Sequence, residues 1–105
     1  MTLGETLVEV WRQALAEDRG EVLVDGQRLP VARTRHQSLR TVAVRYGDRA
    51  IEGIEQNPET SSRWAKLAQE GQRIMQFSFR GRYVGNVCEG RLTRYPAWKA
   101  EGLPE

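Results

Sequence analysis

The chain of 105 residues reads as a single α+β domain, two helices packed on antiparallel sheet made of hairpins and ending in a three-stranded meander. Three observations predict it. An apolar stripe at helical spacing opens the chain, two-residue turn signals punctuate short β-prone runs after it, and an Asn-Pro-Glu helix start interrupts those runs midway.

In residues 3–17, Leu7, Val10, Trp11, Ala14 and Leu15 recur at the spacing of an amphipathic helix, with Thr2 as its cap and Gly20 as its stop. Trp11 and Leu15 are expected in the core. Asp25-Gly26 pairs Val22-Leu23-Val24 with Gln27-Arg28-Leu29, and Pro30, which has no N–H for a ladder, marks an edge or a bend. A second hairpin turning at Gly47-Asp48 sets Val42 and Val44 opposite Gly53 and Ile51, with Arg40 across from Glu55 as an ion pair. Asn57-Pro58-Glu59 supplies a cap, a proline at the first helical position and an acid in the first turn. The helix it starts runs through Trp64, Leu67 and Ala68 and ends at Gly71.

Strands follow over residues 73–79, 82–88 and 91–95, turning at Arg80-Gly81 and Glu89-Gly90. Two-residue loops put Phe77, Val84 and Tyr95 in one cross-strand row, beside Met75 and Phe79, on the face that meets the helices. The opposite, half-apolar face then carries Ile74, Val87 and Leu92 with Gln76, Ser78 and Arg94. Residues 96–105 read as a short helical turn at Trp98 and a loosely ordered tail. The expected core is Trp11, Leu15, Val42, Val44, Ile51, Trp64, Leu67, Met75, Phe77, Val84 and Tyr95.

Apolar residues at 39% and charged residues at 29% exclude the profile of disorder. No apolar run approaches the length of a membrane span, and a single cysteine, Cys88, allows no internal disulfide, so the expected setting is the cytoplasm. None of the ten glycines forms a phosphate-binding loop, and no cofactor or metal is expected. His36 and Cys88 fall in a polar loop and a strand with nothing in their spacing to join them as a catalytic pair. The neighbouring acids Glu17 with Asp18 and Glu52 with Glu55 read as solvated surface, so the chain is expected not to be an enzyme.

Charge is the more informative signal. Only Lys66 and Lys99 among the 16 basic residues are lysine, and a GC-rich genome accounts for such a bias more readily than a polyanion-binding role does. The positive charge nevertheless concentrates on predicted strands, at +5 over residues 26–49 and +4 over residues 73–95. The candidate contacts for nucleic acid or another polyanion are Arg33, Arg35 and Arg40 near one loop, and Arg80, Arg82 and Tyr83 on the last hairpins. Ile74, Tyr83, Val87 and Leu92 are the candidate surface for the alternative, a protein-interaction module or homodimer. Arg80-Gly81-Arg82-Tyr83-Val84-Gly85 departs from the RNA-recognition signature because Arg82 stands where an aromatic is required. Over about a quarter of the chain, Trp64-Ala65-Lys66-Leu67-Ala68-Gln69-Glu70-Gly71, Arg73-Ile74-Met75-Gln76-Phe77 and that hairpin resemble the helix, strand and hairpin order of prevent-host-death antitoxins. The likeness is that of a common αββ packing unit and carries no functional residue across.

Overall fold

A computed structural model describes residues 1–56 and 73–105. The second sequence-predicted helix, with Trp64 and Leu67, lies outside the described residues. Among those described, helix α1 (Leu3–Trp11) opens the chain, and a π-helical segment, Arg12–Ala16, continues it. Thr2 and Glu5 form a capping box, each side chain accepting from the other's backbone N–H, so two of the orphan donors at the helix start are satisfied. Leu7, Val10, Ala14 and Leu15 are buried as their spacing predicts. Trp11 differs: it sits half-buried at the margin, where its indole N–H donates to the Arg73 carbonyl at 3.0 Å. Nor does Gly20 stop the helix; the left-handed position is held two residues earlier by Asp18, at φ +53°.

The strands are β1 (Glu21–Val24), β2 (Gln27–Pro30), β3 (Ala32–Arg33), β4 (Arg40–Tyr46), β5 (Arg49–Glu55), β6 (Ile74–Phe79), β7 (Arg82–Cys88) and β8 (Arg91–Arg94). β1 and β2 form a two-stranded sheet, and the other six lie in the order β3-β4-β5-β6-β7-β8 with every neighbouring pair antiparallel. Each tight hairpin takes the turn its residues permit. Asp25-Gly26, Arg80-Gly81 and Glu89-Gly90 have positive φ at both positions, whereas only Gly47 does in Gly47-Asp48. Such turns match the right-handed twist of the strands they join. Val42 faces Gly53 and Val44 faces Ile51, as expected.

Gln13 ties the small sheet to the helix. Its buried amide donates to the Leu23 carbonyl at 3.0 Å and accepts the Leu23 N–H at 2.8 Å, so a side chain takes the place of a neighbouring strand along β1. Two arginines close the end of the helical segment. Arg40 donates to the Ala14 carbonyl and Arg73 to the Leu15 carbonyl, each at 3.2 Å, where a cation also complements the helix dipole.

One face of the large sheet meets α1. Its central row runs Val42, Gly53, Phe77, Gly85, Arg94, with a glycine on each side of the fully buried Phe77 ring. A Cβ at Gly53 would stand 2.7 Å from Phe77 Cε1 and 2.8 Å from Met75 Sδ, and one at Gly85 would stand 2.7 Å from the Thr93 carbonyl oxygen. Both positions are closed to larger residues.

The expected register of β6 on β7 is corrected by one residue. Ser78 pairs with Tyr83 but Phe77 pairs with Gly85, so Val84 is the extra residue of a β-bulge. Side chains alternate with period two, so every residue beyond the bulge changes face. Val87 and Leu92 therefore join Met75 on the helix side, while Ile74 and Gln76 keep to the other. Tyr95 leaves the predicted Phe77 row: its hydroxyl accepts from Gln76 Nε2 at 3.1 Å and Asn86 Nδ2 at 2.7 Å on the outer face.

The end of the chain packs closely. Helix α2 (Pro96–Ala100) buries Trp98 at 1% exposure, its indole N–H donates to the Pro104 carbonyl, and Leu103 joins the core. Arg94 lies over the Trp98 ring, 4.9 Å from its centroid. Among the described residues no helix is long and apolar enough to cross a membrane.

Two outcomes follow from the packing and the helix end. Gly53→Ala is expected to lower stability by about 1–3 kcal/mol, the range for overpacking a closed core, whereas Gly20→Ala, with nothing within 4 Å of its Cβ, should stay within about 0.5 kcal/mol; urea unfolding of the two variants checks the contrast. Hydrogen bonds from Arg12, then Gln13, hold the Glu9 carboxyl down at about 2. Its folded value lies below the unfolded one, so its contribution is complete above roughly pH 4.3 and is lost as pH falls toward 2. Glu9→Gln should flatten the loss of stability in that window, as read from urea midpoints at pH 7, 4 and 2.5.

Candidate nucleic-acid interface

The outer face of the sheet is assembled by pairing alone. One row across four strands reads Ala43, Glu52, Ser78, Tyr83, and the next toward the hairpin tips begins with Arg45 beside Ala50. Tyr83 is 54% exposed, the most open aromatic among the described residues, and its neighbours in the row are small or polar. Arg49, Ala50, Glu52, Ser78, Arg80 and Gly81 line a shallow cleft at the tips of the β4–β5 and β6–β7 hairpins. Arg80 belongs there because its positive φ, +54°, makes it the first residue of the turn, so its side chain leaves the ladder altogether.

Three cations at this end are electrostatically unspent. Among the described residues, Arg45, Arg49 and Arg80 form no ion pair. Arg12, Arg19, Arg28, Arg33, Arg40 and Arg82 all have an acidic partner within 4.0 Å. An unpaired guanidinium keeps its fork of donors for an incoming phosphate, at no cost in broken contacts.

The sequence-predicted contacts do not form one surface. Arg80 and Tyr83 share the hairpin end of the outer face, but Arg82 pairs with Phe79 on the helix side and approaches Glu101 at 4.0 Å. Arg33 and Arg35 lie by the loop between β3 and β4, where Arg33 donates to the Ser38 carbonyl. At about 3.3 Å per residue and 4.8 Å per strand, that corner is roughly 25 Å from Arg80 along the diagonal of the sheet. Arg40 is withdrawn from solvent at 7% exposure, held by Asp18 at 2.8 Å and by Ala14. It makes no ion pair with Glu55, whose carboxylate instead accepts the Arg40 backbone N–H at 3.0 Å. The expected pair fails because β4 turns the Arg40 side chain toward the helix end, where an unsatisfied carbonyl competes for it.

The candidate partner surface is divided too. Val87 is fully buried and Leu92 half-buried on the helix side, Ile74 is buried at 3% on the other side, and Tyr83 alone of the four is open. The bulge at Val84 is the cause. Sequence reasoning did not single out Arg45 and Arg49; the alternation of Arg45 with Val44, which faces the core, was the available signal for the first, whereas Arg49 shares the face of Ile51 and reaches the cleft only from the hairpin tip. Among the described residues no group of His, Cys, Asp and Glu is arranged to hold a metal ion.

The two classes of arginine separate in a stability measurement. Arg40→Ala leaves the buried Ala14 carbonyl unpaired and should cost about 1–3 kcal/mol, while Arg35→Ala should stay within about 0.5 kcal/mol, both read by urea unfolding. No known protein family matches the chain, and no curated protein or solved structure shows significant similarity to it.

Proposed function

We propose that this chain is a non-enzymatic binding domain that holds nucleic acid on the outer face of its sheet. The observation that carries the proposal is the set Arg45, Arg49 and Arg80 at the hairpin tips, without acidic partners among the described residues, at the same end of the sheet as the exposed Tyr83. Arginines supply phosphate contacts and displace counterions, while an open ring offers a base a stacking platform. Single strands suit this geometry better than duplex, since a base reaches the ring only when it is unstacked. Glu52 and Ser78 in the same row offer an acceptor and a hydroxyl to base edges, and the carboxylate weakens the site for a uniformly anionic polymer. Arg33 and Arg35 extend the positive field at the far corner. A reducing compartment, the cytoplasm, suits a chain with one cysteine.

Fluorescence anisotropy with labelled single-stranded RNA and DNA dodecamers tests the proposal. Affinity should fall linearly in log–log form with salt, and Arg45→Ala, Arg49→Ala and Arg80→Ala together should reduce the slope by about 2, at roughly 0.7 per phosphate contact. Tyr83→Ala should weaken binding about 5- to 150-fold, the span of one base–aromatic stack. Absence of binding at low salt overturns the proposal.

A further inference from the structure

The large sheet ends on β8, and nothing pairs with its outer side among the described residues. Which backbone groups face outward follows from the ladder. The Tyr95 N–H donates to the Val84 carbonyl at 2.9 Å, and in an antiparallel pair bonded residues alternate with non-bonded ones. Thr93 and Arg91 therefore bond to β7, at Asn86 and Cys88, while the N–H and C=O of Leu92 and Arg94 point away from the sheet. Beside this edge, Thr2, Gly4, Glu5 and Val8 of α1 and Gly90, Leu92 and Arg94 of the β7–β8 hairpin line a groove. It exists because Gly4 has no side chain: a Cβ there would stand 3.1 Å from Leu92 Cδ2 and 2.9 Å from the Arg94 guanidinium.

We propose that the β8 edge and the groove between it and α1 form a docking site for an extended acidic segment of a partner protein, which adds to the sheet as a further strand. Leu92 and Arg94 each offer one donor and one acceptor, enough for four backbone hydrogen bonds, and strand addition of this kind takes its affinity from the main chain and its specificity from alternate side chains. The residue opposite Leu92 faces the helix side and enters the groove against Val8 and Gly4, so it is apolar. Those opposite Arg91 and Arg94 meet exposed guanidinium groups, so they are acidic. Glu5 lines the groove as an anion, its carboxylate accepting the Thr2 backbone N–H, so the segment passes it with its apolar residue and sets its acids against Arg91 and Arg94. A second copy of this chain is the wrong occupant: β8, Arg-Leu-Thr-Arg, carries two arginines and no acid, so a β8–β8 pair offers Arg91 and Arg94 no opposite charge.

Hydrogen exchange followed by NMR on the full chain tests the site, with the synthetic octapeptides Thr-Thr-Glu-Val-Thr-Glu-Thr-Thr and Thr-Thr-Glu-Thr-Val-Glu-Thr-Thr as probes for the two strand directions. Without peptide, the Leu92 and Arg94 amides should exchange much faster than those of Arg91 and Thr93. One of the peptides should slow the Leu92 and Arg94 amides with a Kd of about 10–500 μM, as expected of an interface below the standard size. Arg91→Glu should weaken that peptide at least about fivefold and favour its lysine counterpart, the reversal a charge pair requires and a folding defect does not give. Binding should survive the change of Arg45, Arg49 and Arg80 to alanine, which separates this site from the nucleic-acid face. No slowing at millimolar peptide, or equal slowing by the lysine peptides, overturns the proposal. So does a dimer in light scattering whose Leu92 and Arg94 amides are protected without peptide.

Discussion

The structure turns on the placement of Phe77 between two glycines. A strand interior loses stability at each glycine, so Gly53 and Gly85 need a compensating contact. The ring of Phe77 supplies it by lying over Gly53, where a methyl group would stand 2.7 Å from Cε1. That choice fixes the rest of the row: Val42 beyond Gly53, and Arg94 beyond Gly85, whose guanidinium must then find room at Gly4 and over Trp98. Helix α1, five strands and helix α2 are thus located relative to one another by a single line of residues across the sheet.

Polar groups complete what the apolar row begins. A helix that ends against a sheet leaves carbonyls with no intrahelical partner. Here Arg40 reaches those carbonyls from β4 and Arg73 from the residue before β6, while Gln13 meets β1 with the donor and acceptor of an absent strand. The Nε of Arg40 is buried without a hydrogen-bond partner among the described residues, so the guanidinium is held by its two terminal nitrogens alone. Electrostatic and packing constraints converge on the same helix end, and this is why a residue with the charge of a ligand contact serves as a structural one.

Legibility in the sequence followed the range of each interaction. The hairpin turns were legible because each is decided by two residues: Gly26, Gly47, Gly81 and Gly90 all have positive φ, and the pairs Val42 with Gly53 and Val44 with Ile51 follow by counting from the turn. The capping of α1 by Thr2 was legible for the same reason. The face of β7 was not. A bulge at Val84 leaves no local signature, yet one extra residue moves Val87 and Leu92 to the helix side and ends the apparent apolar row with Ile74. Arg40 was misplaced because its partners, Ala14 and Asp18, are chosen by the tertiary fold. Of the candidate residues, Arg80 and Tyr83 share one end of the sheet because both lie close to the turn Arg80-Gly81, which two residues decide.

The abundance of arginine has a clearer meaning once each is placed. A compositional bias acts on the whole sequence and takes no account of where the chain folds, so it cannot by itself sort arginines by environment. The fold does sort them. Arg12, Arg19 and Arg40 are drawn into ion pairs around the end of the first helix, and Arg94 is stacked on Trp98. Arg45, Arg49 and Arg80 gather at hairpin tips with no acidic partner among the described residues, and Arg91 stands on the edge strand in the same condition. A sheet whose other face is filled by its own core can meet a ligand on its outer face or along an edge, and both places carry arginines with no ion pair among the described residues.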